Sequence, residues 1–417
     1  MKDAISLCAC GLCFLQPILA GTSIQVTQYD VPAANATPYV IATGADGALW
    51  FTENVANQIG RLTTGGTFTE YAIPTPASDS WGITGGPDGA LWFAERGGNK
   101  IGRITTGGTI SEYPLPNAGS DPFVIVTGPD GALWFSEELA PRVGRITTDG
   151  VITEYPVHAP TFGITRGPDE ALWFTETVYQ HGLIGRLTTA GALTEHRVND
   201  TGAGWITAGA DGALWFTESV IKNHTSIGRL TTNWALTEYP VPDPAADLLG
   251  AEWITPGPDG AVWFTMQHAI LGRITADGLV TEYPVPPDGY TGGNLDVQGI
   301  TGGPDGGLWF AIAGSQRIGR APACGLGFSA SFAGATLTMN YELGTSVPAT
   351  FSIVLRNAGG PFAEPFSKAI PAVAPPRKFQ LQWSDFPDTG TITVEPHLAA
   401  MAGGDLCAEW ATVDTSQ

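Results

Sequence analysis

Short runs of alternating apolar and polar residues recur along most of this chain, each broken by a glycine-rich dipeptide. In the first unit the runs are 39–43, 48–53, 58–64 and 67–73. Asp46-Gly47 separates the first pair, and Gly65-Gly66 separates the third run from the fourth. Such dipeptides supply the positive φ angles of tight hairpins, so the pattern predicts four antiparallel strands. No segment carries a helical apolar period of useful length.

The unit repeats. Trp-Phe closes the second run seven times, at Trp50, Trp92, Trp134, Trp173, Trp215, Trp263 and Trp309. The spacings are 42, 42, 39, 42, 48 and 46 residues. Seven units of four strands predict an all-β fold, a seven-bladed β-propeller. The outer-strand phrase Thr-Glu-Tyr and its variants end only six units, from Thr69 to Thr281; Thr27-Gln28-Tyr29 stands upstream of the first. The N-terminus is therefore expected to supply the outer strand of the last blade and close the ring. A two-residue turn at Gly65-Gly66 would place Arg61 opposite Glu70, with Arg103–Glu112, Arg145–Glu154 and their later copies repeating the pair and Arg320 meeting Gln28.

Beyond Arg320 the repeats stop. Residues 322–417 alternate in a different rhythm between proline-rich turns, which predicts a small β-sandwich of immunoglobulin-like type. The propeller is assigned to residues 21–321, and residues 1–20 read as a signal peptide because an apolar run reaches Ala20. That run is short for a membrane span. A secreted or periplasmic location follows, with Cys324 and Cys407 as the cysteines left to form one disulfide. The net charge of -21 argues against nucleic-acid partners. A monomer binding a small-molecule or peptide ligand in a central pocket is expected.

That pocket should lie where first strands begin and second strands end. Tyr39, Trp81, Phe123, Phe162, Gly204, Glu252 and Gln298 occupy equivalent rim positions, with Trp205 and Trp253 one residue further on. Glu53, Glu95, Glu137, Glu176 and Glu218 reach the same end, either as an acidic ring or as turn caps on a solvated face. An aromatic half-rim beside carboxylates suits a flat apolar or cationic ligand. His181, His224 and His268 sit in loops on this face, where an imidazole can act as base or metal ligand but is usually only solvated.

Gly-Pro-Asp-Gly-Ala-Leu-Trp-Phe, Ile-Gly-Arg-Ile-Thr-Thr and Thr-Glu-Tyr-Pro-Val-Pro together resemble the virginiamycin B lyase (streptogramin B lyase) family over residues 25–320. The resemblance implies a magnesium-assisted elimination that opens the ester of a cyclic depsipeptide antibiotic. It also implies histidines before the first strands of the last two blades, but those positions hold Glu252 and Gln298 here. The carboxylate two residues before the second is kept as Asp296, whereas the one after the last second strand falls near Ala313. The resulting expectation is a binding or scaffold propeller with a degenerate lyase site. The alternative is a lyase with a rebuilt one, in which Glu252, Gln298 and His268 are the candidate catalytic residues and Asp296 with Glu252 the candidate Mg²⁺ ligands.

Overall fold

The computed structural model describes residues 26–322, apart from 179–180, 200–201, 219–224, 242–249 and 288–295, and the backbone of eight strands beyond them. Seven four-stranded antiparallel sheets form the blades. Blade one comprises Pro38–Thr43, Leu49–Glu53, Gln58–Leu62 and Phe68–Ala72. In blade seven the outer strand is Thr27–Asp30, paired antiparallel with Arg317–Pro322. The ring therefore closes with the N-terminal strand, as the displaced Thr-Gln-Tyr phrase requires. Arg317 strengthens that seam through Asp30 at 2.7 Å and Gln28 at 3.2 Å.

Each second strand carries the core. All seven Trp-Phe tryptophans are at most 1% exposed. The ring of each phenylalanine needs a bare backbone opposite: a Cβ at Gly60 would lie 2.2 Å from Phe51. Each buried indole N–H donates to the aspartate four residues upstream, from Asp46 to Asp305, at 2.8–3.1 Å. The blade arginine, from Arg61 to Arg320, donates Nε to the other carboxylate oxygen at 2.6–2.7 Å. In six blades its guanidinium also covers the tryptophan, 5.7–6.0 Å from the ring centroid.

These ion pairs correct the predicted arginine–glutamate pairs. The third hairpin loop has three residues, not two: Thr63 N–H donates to Thr67, and Leu62 faces Phe68. One extra residue shifts the register by one, so Arg61 faces Thr69, and Glu70 turns to the other face. Arg320 likewise faces Thr27, not Gln28. The glutamates clamp the incoming chain instead. Glu70 accepts from the Ala33 N–H, Glu112 from Thr75, Glu195 from His158, and Glu154 from the Asn117 side-chain amide.

Blade four departs from the repeat in two compensating places. His196 stands where most blades have the tyrosine that stacks on the core tryptophan, as Tyr71 does on Trp50 at 5.7 Å. Trp234 stands where the next hairpin otherwise has glycine, at φ 69°, and packs at a tilt against both His196 (4.1 Å) and Trp173 (4.7 Å). The larger ring fills the volume the smaller one leaves.

After Pro322 the described strands run from Leu326 to Asp414. One sheet has three strands, and the other has the order of five strands set by Ala349–Asn357 and Thr391–Ala400 at its centre. Cys324 and residues 1–25 lie outside the described residues, and with them the disulfide and the signal peptide. Among the described residues no helix is long and apolar enough to cross a membrane.

Removal of residues 1–30 exposes the edge of Arg317–Pro322 and should lower the thermal midpoint by more than 10 °C, read by circular dichroism. An unchanged midpoint would contradict the closure. Trp234→Gly should be destabilising alone and much less so with His196→Tyr, a coupling measurable by a double-mutant cycle in urea. Additive costs would contradict the compensation.

Candidate functional site

Every first strand carries a β-bulge at its start. In blade one Pro38 faces Glu53 but Ile41 faces Phe51, one residue out of step, and all seven blades repeat this. A bulge re-aims the side chain it carries. Here it aims Tyr39 and its equivalents at the propeller axis. The freed N–H is taken by a hydroxyl of the second strand: Val40 donates to Thr52, Val124 to Ser136, and Trp253 to Thr265. Thr52 then donates to the Trp81 carbonyl of the next blade, which ties one rim residue to its neighbour.

The rim aromatics form a continuous floor. Tyr39, Trp81, Phe123, Phe162 and Trp205 follow one another at 4.5–5.0 Å between ring centroids, and Trp205 stacks on Trp253 at 3.4 Å. Phe123 also meets Trp205 at 5.4 Å, so the floor is drawn together on that side. Tyr39, Trp81, Phe162 and Trp205 remain half-buried. All six aromatic residues proposed to bind ligand thus come together.

The last two blades complete the circle with polar groups. The Trp253 indole N–H donates to Gln298 Oε1 at 3.2 Å, and Gln298 Nε2 donates to Asp296 at 2.7 Å. Glu252 accepts from Gln267 at 3.3 Å and from the Gln298 amide. Burial first, and Asp296 second, push the Glu252 carboxyl above its ordinary range. The Tyr39 phenol is raised by burial and then by Asp296, Glu252 and Asp79, so these groups share one electrostatic environment. His268 is exposed in a left-handed turn at φ 60°, outside this hydrogen-bonded set. The side chains of His181 and His224 lie outside the described residues.

Amide donors already occupy one oxygen of each carboxylate expected to hold Mg²⁺. Mg²⁺ wants several oxygen donors in octahedral array. The amide N–H groups of Gln298 and Gln267 already point at the two carboxylates, and Ala313 offers no oxygen beyond its backbone. Among the described residues no three His, Cys, Asp or Glu side chains are grouped to hold a metal.

The second-strand glutamates do not present an acidic ring to the pocket. Glu53, Glu95, Glu137, Glu176 and Glu218 are at most 4% exposed, so they do not solvate the face either. With glycine between the strands, Glu53 sits near Glu70 on the same face of its blade. Burial and then Glu70 push Glu53 up to about 8. Glu95 and Glu137 rise only to about 7, mainly by burial, because Lys100 pulls Glu95 back and the Ser120 hydroxyl, then Arg142, pull Glu137 back. Glu176 is raised by burial and Glu195.

Missed by the sequence reading is a polar wall over blades one to three. Asn54 donates to Asp79 at 2.5 Å. Arg96 binds Asp121 and Glu138 at 2.8 and 2.7 Å, with its guanidinium over Trp81 and Phe123. Asp79 and Asp121 adopt φ 48° and 57° just before their first strands, a conformation that Asp tolerates better than most residues. These loops differ from blade to blade, so no repeat pattern marks them.

Fold and mouth together define a seven-bladed propeller with a run of packed aromatic side chains at its rim. The chain belongs to the virginiamycin B lyase family, whose model matches residues 20–205 and 158–327. It is similar to the crystal structure of virginiamycin B lyase from Staphylococcus aureus, at 37% identity and a TM-score of 0.64 over 72% of this chain and 99% of that one. A streptogramin B lyase structure matches at 36% identity and 0.63, covering 72% and 97%. A catalytically inactive histidine-to-alanine form of the Staphylococcus aureus enzyme with quinupristin matches at 37% and 0.64, covering 72% and 99%.

The buried carboxylates set a pH dependence. The folded pKa of Glu53 exceeds its ordinary 4.5, so folding favours the neutral acid. The contribution of Glu53 to stability should be fully present below about 4.5 and be lost as pH rises toward about 8. Thermal midpoints between these limits should fall in the wild type and fall less in Glu53→Gln; identical slopes would exclude the effect.

Proposed function

We propose that this chain is an exported, monomeric ligand-binding propeller in which the lyase site has lost its chemistry. The observation that carries this is Gln298. At the position where the family resemblance calls for a histidine, a non-titrating amide donates to Asp296 and accepts from Trp253. An elimination needs a group that removes the proton and a cation or acid that stabilises the leaving carboxylate. Gln298 supplies neither. The aromatic floor keeps its capacity to bind. A flat apolar portion of a small molecule or peptide rests on Tyr39, Phe162 and Trp205, the part of the floor that Arg96 leaves uncovered. In this reading binding requires no Mg²⁺.

A second reading has one observation in its favour: the Glu252 carboxyl is raised by burial and by Asp296, as a general base would be. In that reading Glu252 removes the proton in a rebuilt lyase. The two are separated by incubating the purified protein with a streptogramin B substrate, with and without Mg²⁺, and following ring opening by mass spectrometry. The binding reading expects no product, together with saturable quenching of tryptophan fluorescence that weakens about tenfold in Trp205→Ala. EDTA-sensitive ring opening that disappears in Glu252→Gln would establish the lyase instead.

Export carries its own test. Mature protein, unfolded without reductant, should show no free thiol if Cys324 and Cys407 are joined; two titratable thiols would refute the bond.

A further inference from the structure

The position after the second strand differs in every blade, and blade two places an arginine there. The residue after the second-strand glutamate is Asn54 in blade one and Arg96 in blade two. Both do the same structural task. Asn54 reaches Asp79 ahead of the next first strand, and Arg96 reaches Asp121 at the equivalent place. An amide therefore suffices to hold the neighbouring blade. Yet the arginine makes contacts that the asparagine does not.

Its guanidinium is surrounded as a bound guest would be. Nε and Nη2 donate to Asp121 at 3.1 and 2.8 Å, and Nη2 lies 2.7 Å from Glu138. The planar group lies 5.1 Å from the Trp81 centroid and 5.0 Å from that of Phe123. Asp79 adds a third negative charge nearby. Two aromatic faces with two carboxylates are the elements that select organic cations, and a guanidinium is matched best because its flat face stacks while its edge donates.

We propose that Arg96 is a specificity-determining residue of the mouth: it fills an organic-cation seat made by Trp81, Phe123, Asp121 and Glu138, and so bars cationic ligands from that half of the floor. This deepens the ligand-binding reading and rests on its pocket. It explains how an acidic, aromatic mouth is kept for neutral, flat ligands: a cation that enters must displace a tethered one. Discrimination of this kind comes from what is made unfavourable as much as from what is attracted.

The seat is tested by emptying it. Arg96→Asn copies blade one and so keeps the tie to Asp121. Methylguanidinium and its neutral isostere N-methylurea are then titrated against tryptophan fluorescence and the thermal midpoint. Methylguanidinium should bind the variant at least tenfold more tightly than the wild type and raise its midpoint, while N-methylurea should do neither. Adding Trp81→Ala should abolish the response. Equal binding of methylguanidinium by wild type and variant, equal effects of the two probes, or no binding to the variant would overturn the proposal. If Arg96→Asn does not fold, Arg96→Gln, which keeps more of the stem, decides by the same criteria. The assay uses neither a natural ligand nor Trp205. A failed rescue therefore sinks the Arg96 assignment alone, and a wild type blind to flat apolar ligands sinks the ligand-binding reading alone.

Discussion

One hydrogen bond organises each blade: the indole N–H of the core tryptophan donating to the turn aspartate. A tryptophan buried without a partner for its N–H would lose a large part of what its burial contributes. Asp46 accepts that N–H with one oxygen and Arg61 with the other. Burial pushes the carboxyl up, but the bonds from Trp50 and Arg61 outweigh it and hold the carboxyl below its ordinary range, as they do in five further blades. The triad thus fixes the inner hairpin, the third strand and the core ring at once. Burying a tryptophan and a phenylalanine removes roughly 300–500 Å² from water. Much of that gain depends on the aspartate.

Inner-hairpin geometry then positions the mouth. Because the Trp50 end of the second strand is anchored, Thr52 at its far end meets the bulged Val40 N–H and the Trp81 carbonyl of blade two. Rim side chains are consequently placed by rigid strands, and only the loops around them vary. This is how a repeat can keep its scaffold while the residues at Glu252 and Gln298 change without cost to the fold. The polar circuit Trp253–Gln298–Asp296 is held together by its own hydrogen bonds.

Much of this was legible in the sequence, for a physical reason. Seven copies of one phrase average out local ambiguity, so blade number, strand order and the closure by Thr27–Asp30 follow from counting. The rim aromatics follow as well, since equivalent positions in a ring converge on its axis. Arg61 and Glu70 were misread because one turn residue reverses which face a side chain occupies, and Gly65-Gly66 does not reveal whether the loop has two or three residues. The burial of Glu53 was hidden because it depends on how the side chain packs over Gly60 beside Glu70. Arg96 was hidden because it belongs to no repeat.

Closure by the first strand has a consequence in time. Asp30 and Arg317 meet across 287 residues. At ordinary rates of synthesis the segment that seals the ring is made roughly 15–60 s before its partner exists. Blades one to six can each assemble from neighbouring chain, but blade seven must wait for the chain's earliest residues to return. During that wait Thr27–Asp30 is an unpaired strand, and any other exposed edge competes for it. The last event of folding is thus written at the start of the domain, and a protein that reaches its destination unfolded escapes the wait altogether.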